Sequence, residues 1–214
     1  FLASHYESVV SVNIAGLSSG TRQAAEAAAA RLAARERVTV VDTGNASVGQ
    51  GLIAMYAAEC ADAGMDREQV VAAVRAAIPR TFTFGCLQTL EYGVRGGRVP
   101  AWAGALADWL RLSPIIANLP EGRIGVGGVL LGRRNLRGKL ARFVRRRIEP
   151  SRRYRLLVGH AQAPAEAERL AREIVDGLTN VELVALVPLG AALSAHGGPG
   201  MLAAGLQDYE PPRA

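Results

Sequence analysis

Val9-Val10-Ser11-Val12-Asn13-Ile14-Ala15 is an apolar, largely β-branched run that breaks into Gly16-Leu17-Ser18-Ser19-Gly20-Thr21. Arg22 to Arg35 follows, rich in alanine and therefore in helix propensity, and Val38-Thr39-Val40-Val41 is a second β-branched run. Strand, crossover helix and strand in that order are the pattern of a parallel sheet. Downstream, Asp42 to Ser47 is a polar loop, and Leu52 to Ala63 has the pattern of a helix ended by Gly64. Asp66 with Gln69 three residues on is a capping box that opens another helix, stopped by Pro79.

Past Arg80 the character changes. Thr81 to Gly85 is a short strand, Leu87 to Val94 a helix stopped at Gly96-Gly97, and Ala101 to Arg111 a second helix. Pro114 to Asn118 and Arg123 to Leu131 are strands joined through the Glu121-Gly122 turn. A basic helix from Arg133 to Arg147 precedes a strand at Arg155 to Gly159, a helix at Pro164 to Leu178 and a strand at Val181 to Val187. Ser194 to Gly200 reads as a Gly-rich loop, Met201 to Leu206 as a last strand, and Pro211 to Ala214 as a frayed end. The expected organisation is an α/β/α unit over residues 1–80 and a two-layer α/β unit over 81–214.

Composition bounds what such a chain does. Half of its 214 residues are hydrophobic and only 5% aromatic, so the core is built from Ala, Val and Leu. No apolar run approaches the ~20 residues that span a bilayer, and no secretory signal opens the chain. Cys60 and Cys86 stand far apart in apolar surroundings, as reduced, buried thiols do, which favours a cytoplasmic location. The net charge of +6 is unevenly spread: Arg133, Arg134, Arg137, Lys139, Arg142, Arg145, Arg146 and Arg147 crowd one segment, followed by Arg152, Arg153 and Arg155. Such a run suits nucleic acid, anionic lipid or an acidic protein, or is simply a solvated helix face.

Four short constellations carry chemistry. Ser18-Ser19-Gly20-Thr21 lies where a strand ends and a helix begins, a place where free N–H groups and the helix dipole attract anions. Ser19 and Thr21 add hydroxyls there, although N-capping by Ser19 is the plainer account. Asp42-Thr43-Gly44-Asn45-Ala46-Ser47 is again a loop after a strand, read as a turn that caps the next helix through Ser47. Arg98 leaves the Gly96-Gly97 bend and is able to grip a carboxylate or phosphate, or is a surface arginine beside a C-cap. His196, within Ala195-His196-Gly197-Gly198-Pro199-Gly200, sits in a rigid backbone that suits anion contact. The sequence holds no GxSxG or HExxH motif, no phosphate loop and no Cys/His cluster at metal spacing, so no nucleophile, metal site or cofactor is indicated. Binding is a better reading than catalysis.

In this order and spacing the motifs resemble the DegV family: Ser19-Gly20-Thr21 after a strand; Val41-Asp42-Thr43-Gly44-Asn45-Ala46-Ser47 with Gly49 and Gly51; Leu90-Glu91-Tyr92 running into Gly96-Gly97-Arg98-Val99; Pro114-Ile115-Ile116; and His196-Gly197-Gly198-Pro199-Gly200. The resemblance implies a two-domain α/β fold, three-layer α/β/α with a parallel sheet followed by a two-layer unit with a mixed sheet. It implies a carrier, not an enzyme, that buries a long-chain fatty acid in an apolar tunnel between the domains. The carrier presents the carboxylate to a separate dihydroxyacetone-kinase-like fatty acid kinase, which forms an acyl phosphate. By the same resemblance Ser19, Gly20 and Thr21 hold the carboxylate with His196 nearby, while Arg98 and either Arg133 or Arg134 orient the head group or meet the kinase. The family's amino-terminal strand and Thr-Ser-Gln-Pro loop do not precede Phe1, so the carboxylate site is expected to lack the hydroxyl that this loop supplies. Gly197 stands where the family usually has Thr. The basic segment is expected to serve docking on the kinase or transient contact with a membrane surface. The competing function is a nucleic-acid-binding protein using Arg133 to Arg155, against which stand the scarcity of interleaved aromatics and the absence of a known motif.

Overall fold

The computed structural model describes residues 1–212, so the frayed end expected at Arg213 and Ala214 lies outside the described residues. After a single helical turn, α1 (Leu2–His5), strands β1 (Val9–Asn13) and β2 (Val38–Asp42) flank helix α2 (Thr21–Ala30). They pair in parallel, Val9 opposite Val38 through Asn13 opposite Asp42, as the β-branched runs require. Helices α3 (Ser47–Asp62) and α4 (Arg67–Ala77) follow, the latter opened by the Asp66/Gln69 capping box in both directions.

The second sheet holds β3 (Thr81–Cys86), β4 (Leu112–Asn118), β5 (Ile124–Leu131), β6 (Tyr154–His160), β7 (Val181–Pro188) and β8 (Leu202–Asp208), in the order β5-β4-β3-β8-β6-β7. Only β6 and β7 run parallel, joined by the crossover helix α8 (Pro164–Val175); the other pairs are antiparallel. Helices α5 (Glu91–Arg95) and α6 (Ala101–Trp109) lie between β3 and β4, α7 (Leu136–Arg145) between β5 and β6, and α9 (Ala191–Gly197) between β7 and β8. The fold is α/β, with one parallel and one mixed sheet.

Packing assigns the layers. Helices α7 and α8 bury Leu136, Leu140, Val144, Leu170 and Ile174 against Phe84, Ile115, Leu156, Val158 and Leu206 on one face of the large sheet. Helix α3 covers the other face, with Val48 and Leu52 on Leu157 and Ala203. Its opposite side, Ile53, Tyr56, Ala57 and Cys60, packs with α4 and with Val10, Val12 and Val41 of the small sheet. So α3 is apolar on two sides because it lies between two sheets. It comes close enough to β8 that a Cβ at Gly205 would sit 2.9 Å from the Val48 carbonyl carbon and 3.0 Å from the Gly49 nitrogen. Only glycine admits that approach.

Several local expectations change. Helix α2 ends at Ala30, and Arg35–Arg37 forms a separate 3-10 turn. Helix α3 begins five residues earlier than its leucine pattern suggested, at Ser47 against Leu52. The basic helix starts at Leu136, not Arg133: Asn135 takes a left-handed conformation (φ 50°) and its side chain accepts the Gly138 N–H at 3.1 Å. Arg133 and Arg134 therefore stand in the turn ahead of it. Most of the expected glycine-rich loop is helix α9, and its glycines mark the helix end. Among the described residues no helix is long and apolar enough to cross a membrane.

Candidate functional site

Asp42, the last residue of β2, holds the neighbouring turns together. Its carboxylate accepts the Gly16 N–H at 3.1 Å and the Gly44 N–H at 2.9 Å, and Arg22 of α2 stands 3.5 Å away. The Gly16–Thr21 turn is also tied to the far sheet, because the Ile124 N–H of β5 donates to Ser18 Oγ at 2.8 Å. Asn45 secures the second turn: it accepts the Thr83 hydroxyl at 2.6 Å and donates to the Thr81 carbonyl at 2.9 Å. These bonds fix the starts of α2 and α3 against β3 and β5.

Ser19 and Thr21 meet within this frame. Their hydroxyls lie 2.9 Å apart, and Ser19 Oγ accepts the Thr21 N–H at 3.3 Å. The N-cap residue of α2 is Gly20, without a side-chain cap. Thr21 borders a groove of about 420 Å³ that runs between the starts of α2 and α3 and the segment joining β7 to α9. Ile14, Val48, Leu157, Val187, Pro188, Leu189 and Leu193 supply its apolar lining, with Thr21, Ser47 and Gln50 as polar side chains. That volume falls within the range of sites for small organic ligands. A groove with a few polar groups on an apolar wall suits a molecule with a long apolar body and one polar end.

His196 and Arg98 meet elsewhere, around Gly96. The His196 ring lies so close to Gly96 that a Cβ there would overlap it, and His196 Nδ1 is buried without a hydrogen-bond partner. Arg98 donates to the Gly96 carbonyl at 2.7 Å. His196 is in α9, whose Leu193 lines the groove, but its own side chain is not among the lining residues. The candidates thus fall into two groups: the Ser19–Thr21 turn, of which Thr21 alone lines the groove, and His196 with Arg98 on the α5–α9 side. Arg133 and Arg134 are exposed between β5 and α7.

The rest of the basic segment is largely engaged. Arg137 bridges Glu166 and Glu173 at 2.8 Å each. Arg145 donates to the carbonyls of Glu173, Ile174 and Asp176, capping the end of α8. Arg147 lies over the rings of Phe84 and Phe143, Arg152 pairs with Asp208 at 2.6 Å, and Arg155 lies between Glu59 and the Tyr209 ring. Ser47 escaped the sequence reading as a groove residue, because serine before a helix reads as a cap.

The chain belongs to the DegV family: the family model for uncharacterised DegV proteins matches residues 1–208. A DegV domain-containing protein of Deinococcus radiodurans is 30% identical over 206 residues, spanning 95% of this chain and 71% of that protein. One from Streptococcus pyogenes is 29% identical over 166 residues, 78% of this chain and 57% of its own length. The fold is that of a DegV family protein from Thermus thermophilus whose structure describes fatty acid binding. It superposes with a TM-score of 0.84 at 30% identity, covering 97% of this chain and 73% of that one.

Proposed function

We propose that this chain is a fatty-acid carrier that shields the acyl chain in the groove and presents the carboxylate to a partner kinase. The observation that carries the reading is the groove itself, apolar along Leu157, Val187, Leu189 and Leu193 and bordered by Thr21 at the start of α2. Each methylene removed from water contributes about 0.8 kcal/mol, and the helix start with its hydroxyls favours the negative end. Ser19, Gly20 and Thr21 hold the carboxylate, and His196 completes the site from the α9 side. The ligand lies between units divided near Arg80, residues 1–80 and 81–214.

The partner is a dihydroxyacetone-kinase-like enzyme working in the cytoplasm. It transfers the γ-phosphoryl group of ATP to a carboxylate oxygen, giving acyl phosphate and ADP. Arg98, with Arg133 or Arg134, meets this kinase. Transient membrane contact fits α6 better than the basic segment. Trp102, Leu106 and Trp109 fall on one side of that helix, the tryptophans 71% and 80% exposed, while Gly104 faces Val94 opposite. Exposed tryptophans of this kind favour the membrane–water interface. The nucleic-acid reading gains no support, because Arg137, Arg145, Arg147, Arg152 and Arg155 are occupied within the fold.

The test is to load the purified chain with oleate, add such a kinase with Mg-ATP, and trap acyl phosphate with hydroxylamine. Oleoyl hydroxamate that depends on all three components is the expected result. A carrier that retains oleate but yields none with any such kinase would overturn the kinase role.

A further inference from the structure

The Ser19–Thr21 turn does not hold its shape by burial: Gly20 and Thr21 are exposed, and the Ser19 and Thr21 hydroxyls bond to each other. Its shape is set at its two ends, and one side chain reaches both. At the near end the Asp42 carboxylate accepts the N–H of buried Gly16, each oxygen 3.1 Å from that nitrogen. At the far end Arg22, the residue after Thr21, stands 3.5 Å from Asp42 Oδ2. Gln23 reinforces the closure by donating to the Gly16 carbonyl at 3.4 Å.

Arg22 is poorly placed as a helix residue. It is the second residue of α2, where the partial positive charge of a helix start disfavours a cation, and pairing with Asp42 offsets that cost. Gly16 serves the same contact: a Cβ there would lie 2.6 Å from Arg22 Nε and 2.7 Å from Asp42 Oδ2, so bare backbone lets the pair close over the turn. Asp42 is itself a negative charge beside a turn read as binding another. Coulomb repulsion alone makes it a poor neighbour for a carboxylate, and Arg22 with the Gly16 and Gly44 N–H groups neutralises it.

Resting on the fatty-acid reading above, we propose that Asp42 is a positioning residue for the head group: it clamps the turn at Gly16 and Arg22, without touching the ligand, so that Ser19 and Thr21 are presented in one geometry. Donors bind an anion best when already held in place, because ordering them on binding costs affinity. The clamp stands on the small parallel sheet, where Asp42 at the end of β2 pairs with Asn13 at the end of β1. An exposed turn thereby takes its geometry from a regular element.

The test compares wild type, Asp42→Asn and Gly16→Ala, measuring affinity for oleate and for methyl oleate, which lacks the charge, alongside melting temperature. Asp42→Asn removes an anion near the site, so charge alone calls for tighter oleate binding. The clamp calls for binding about tenfold weaker, the scale of one charge-assisted hydrogen bond to the ligand. Gly16→Ala pushes Asp42 and Arg22 apart with no change of charge and should weaken oleate binding in the same way. Methyl oleate affinity should change much less in both variants. Oleate affinity at or above the wild-type value in either variant, or equal losses for acid and ester, would overturn the proposal while leaving fatty-acid binding intact. If Asp42→Asn does not fold, Gly16→Ala decides alone. A wild type that binds neither ligand would overturn the fatty-acid reading and this inference with it.

Discussion

Ser19 shares a hydrogen bond with Thr21 and leaves the N-cap to Gly20. Binding and stability are therefore separable at this residue. Ser19→Ala should weaken fatty-acid affinity about tenfold and lower stability by less than the ~1 kcal/mol of a true cap loss. Isothermal titration and urea unfolding of the same variant decide it; lost stability with unchanged affinity would make Ser19 a structural residue. Gly96→Ala forces a methyl into the His196 ring. It should cost about 1–3 kcal/mol through overpacking and weaken binding if His196 touches the ligand. Wild-type affinity in a folded Gly96→Ala would separate His196 from the site. Ser19, Gly20 and Thr21 were legible because strand, small polar turn and helix form a local pattern. Ser47 was not, because a left-handed serine cannot be told from a capping serine without its φ and its neighbours.

At the scale of elements the basic segment changes meaning. Its arginines looked like one charged face, yet Arg145 closes the carbonyl end of α8 and Arg147 rests on two phenylalanine rings. Arg145→Gln should cost about 1–2 kcal/mol, the range for a cation at a partly buried helix end. Arg146→Gln, at an exposed site, should stay within about 0.5 kcal/mol. Chemical denaturation of both measures the contrast, and equal effects would refute the capping role. The parallel β1–α2–β2 unit, the α4 capping box and the strand run β3–β4–β5 were visible from periodicity and turn residues. Of the boundaries that differ, two show the reason plainly. Helix α9 carries Gly197 at its end and was read as loop, and α7 begins after the two arginines assigned to it because Asn135 supplies the cap. In both, the deciding factor is a cap or a turn conformation, which composition does not reveal.

Across the whole molecule, α3 is the shared layer between the two sheets, and the groove opens beside its first turn. This explains an interior of small and aliphatic residues: Gly205, Ala203 and Leu157 let the helix lie close to the large sheet. The cysteines belong to the same packed interior. Burial pushes Cys60 up and Cys86 up to about 12. Neither thiol should react with iodoacetamide at pH 8 until the protein unfolds, and rapid labelling of native protein would contradict their placement. With its folded value above the unfolded one, Cys86 contributes stability fully present below pH 9 and lost as the pH climbs through about 12. The central claim concerns the groove, and native mass spectrometry of the purified chain, alone and after addition of oleate, tests it most directly. The account predicts a single added mass of one fatty acid per chain, reduced in Ser19→Ala; a chain that stays ligand-free at saturating oleate would contradict it.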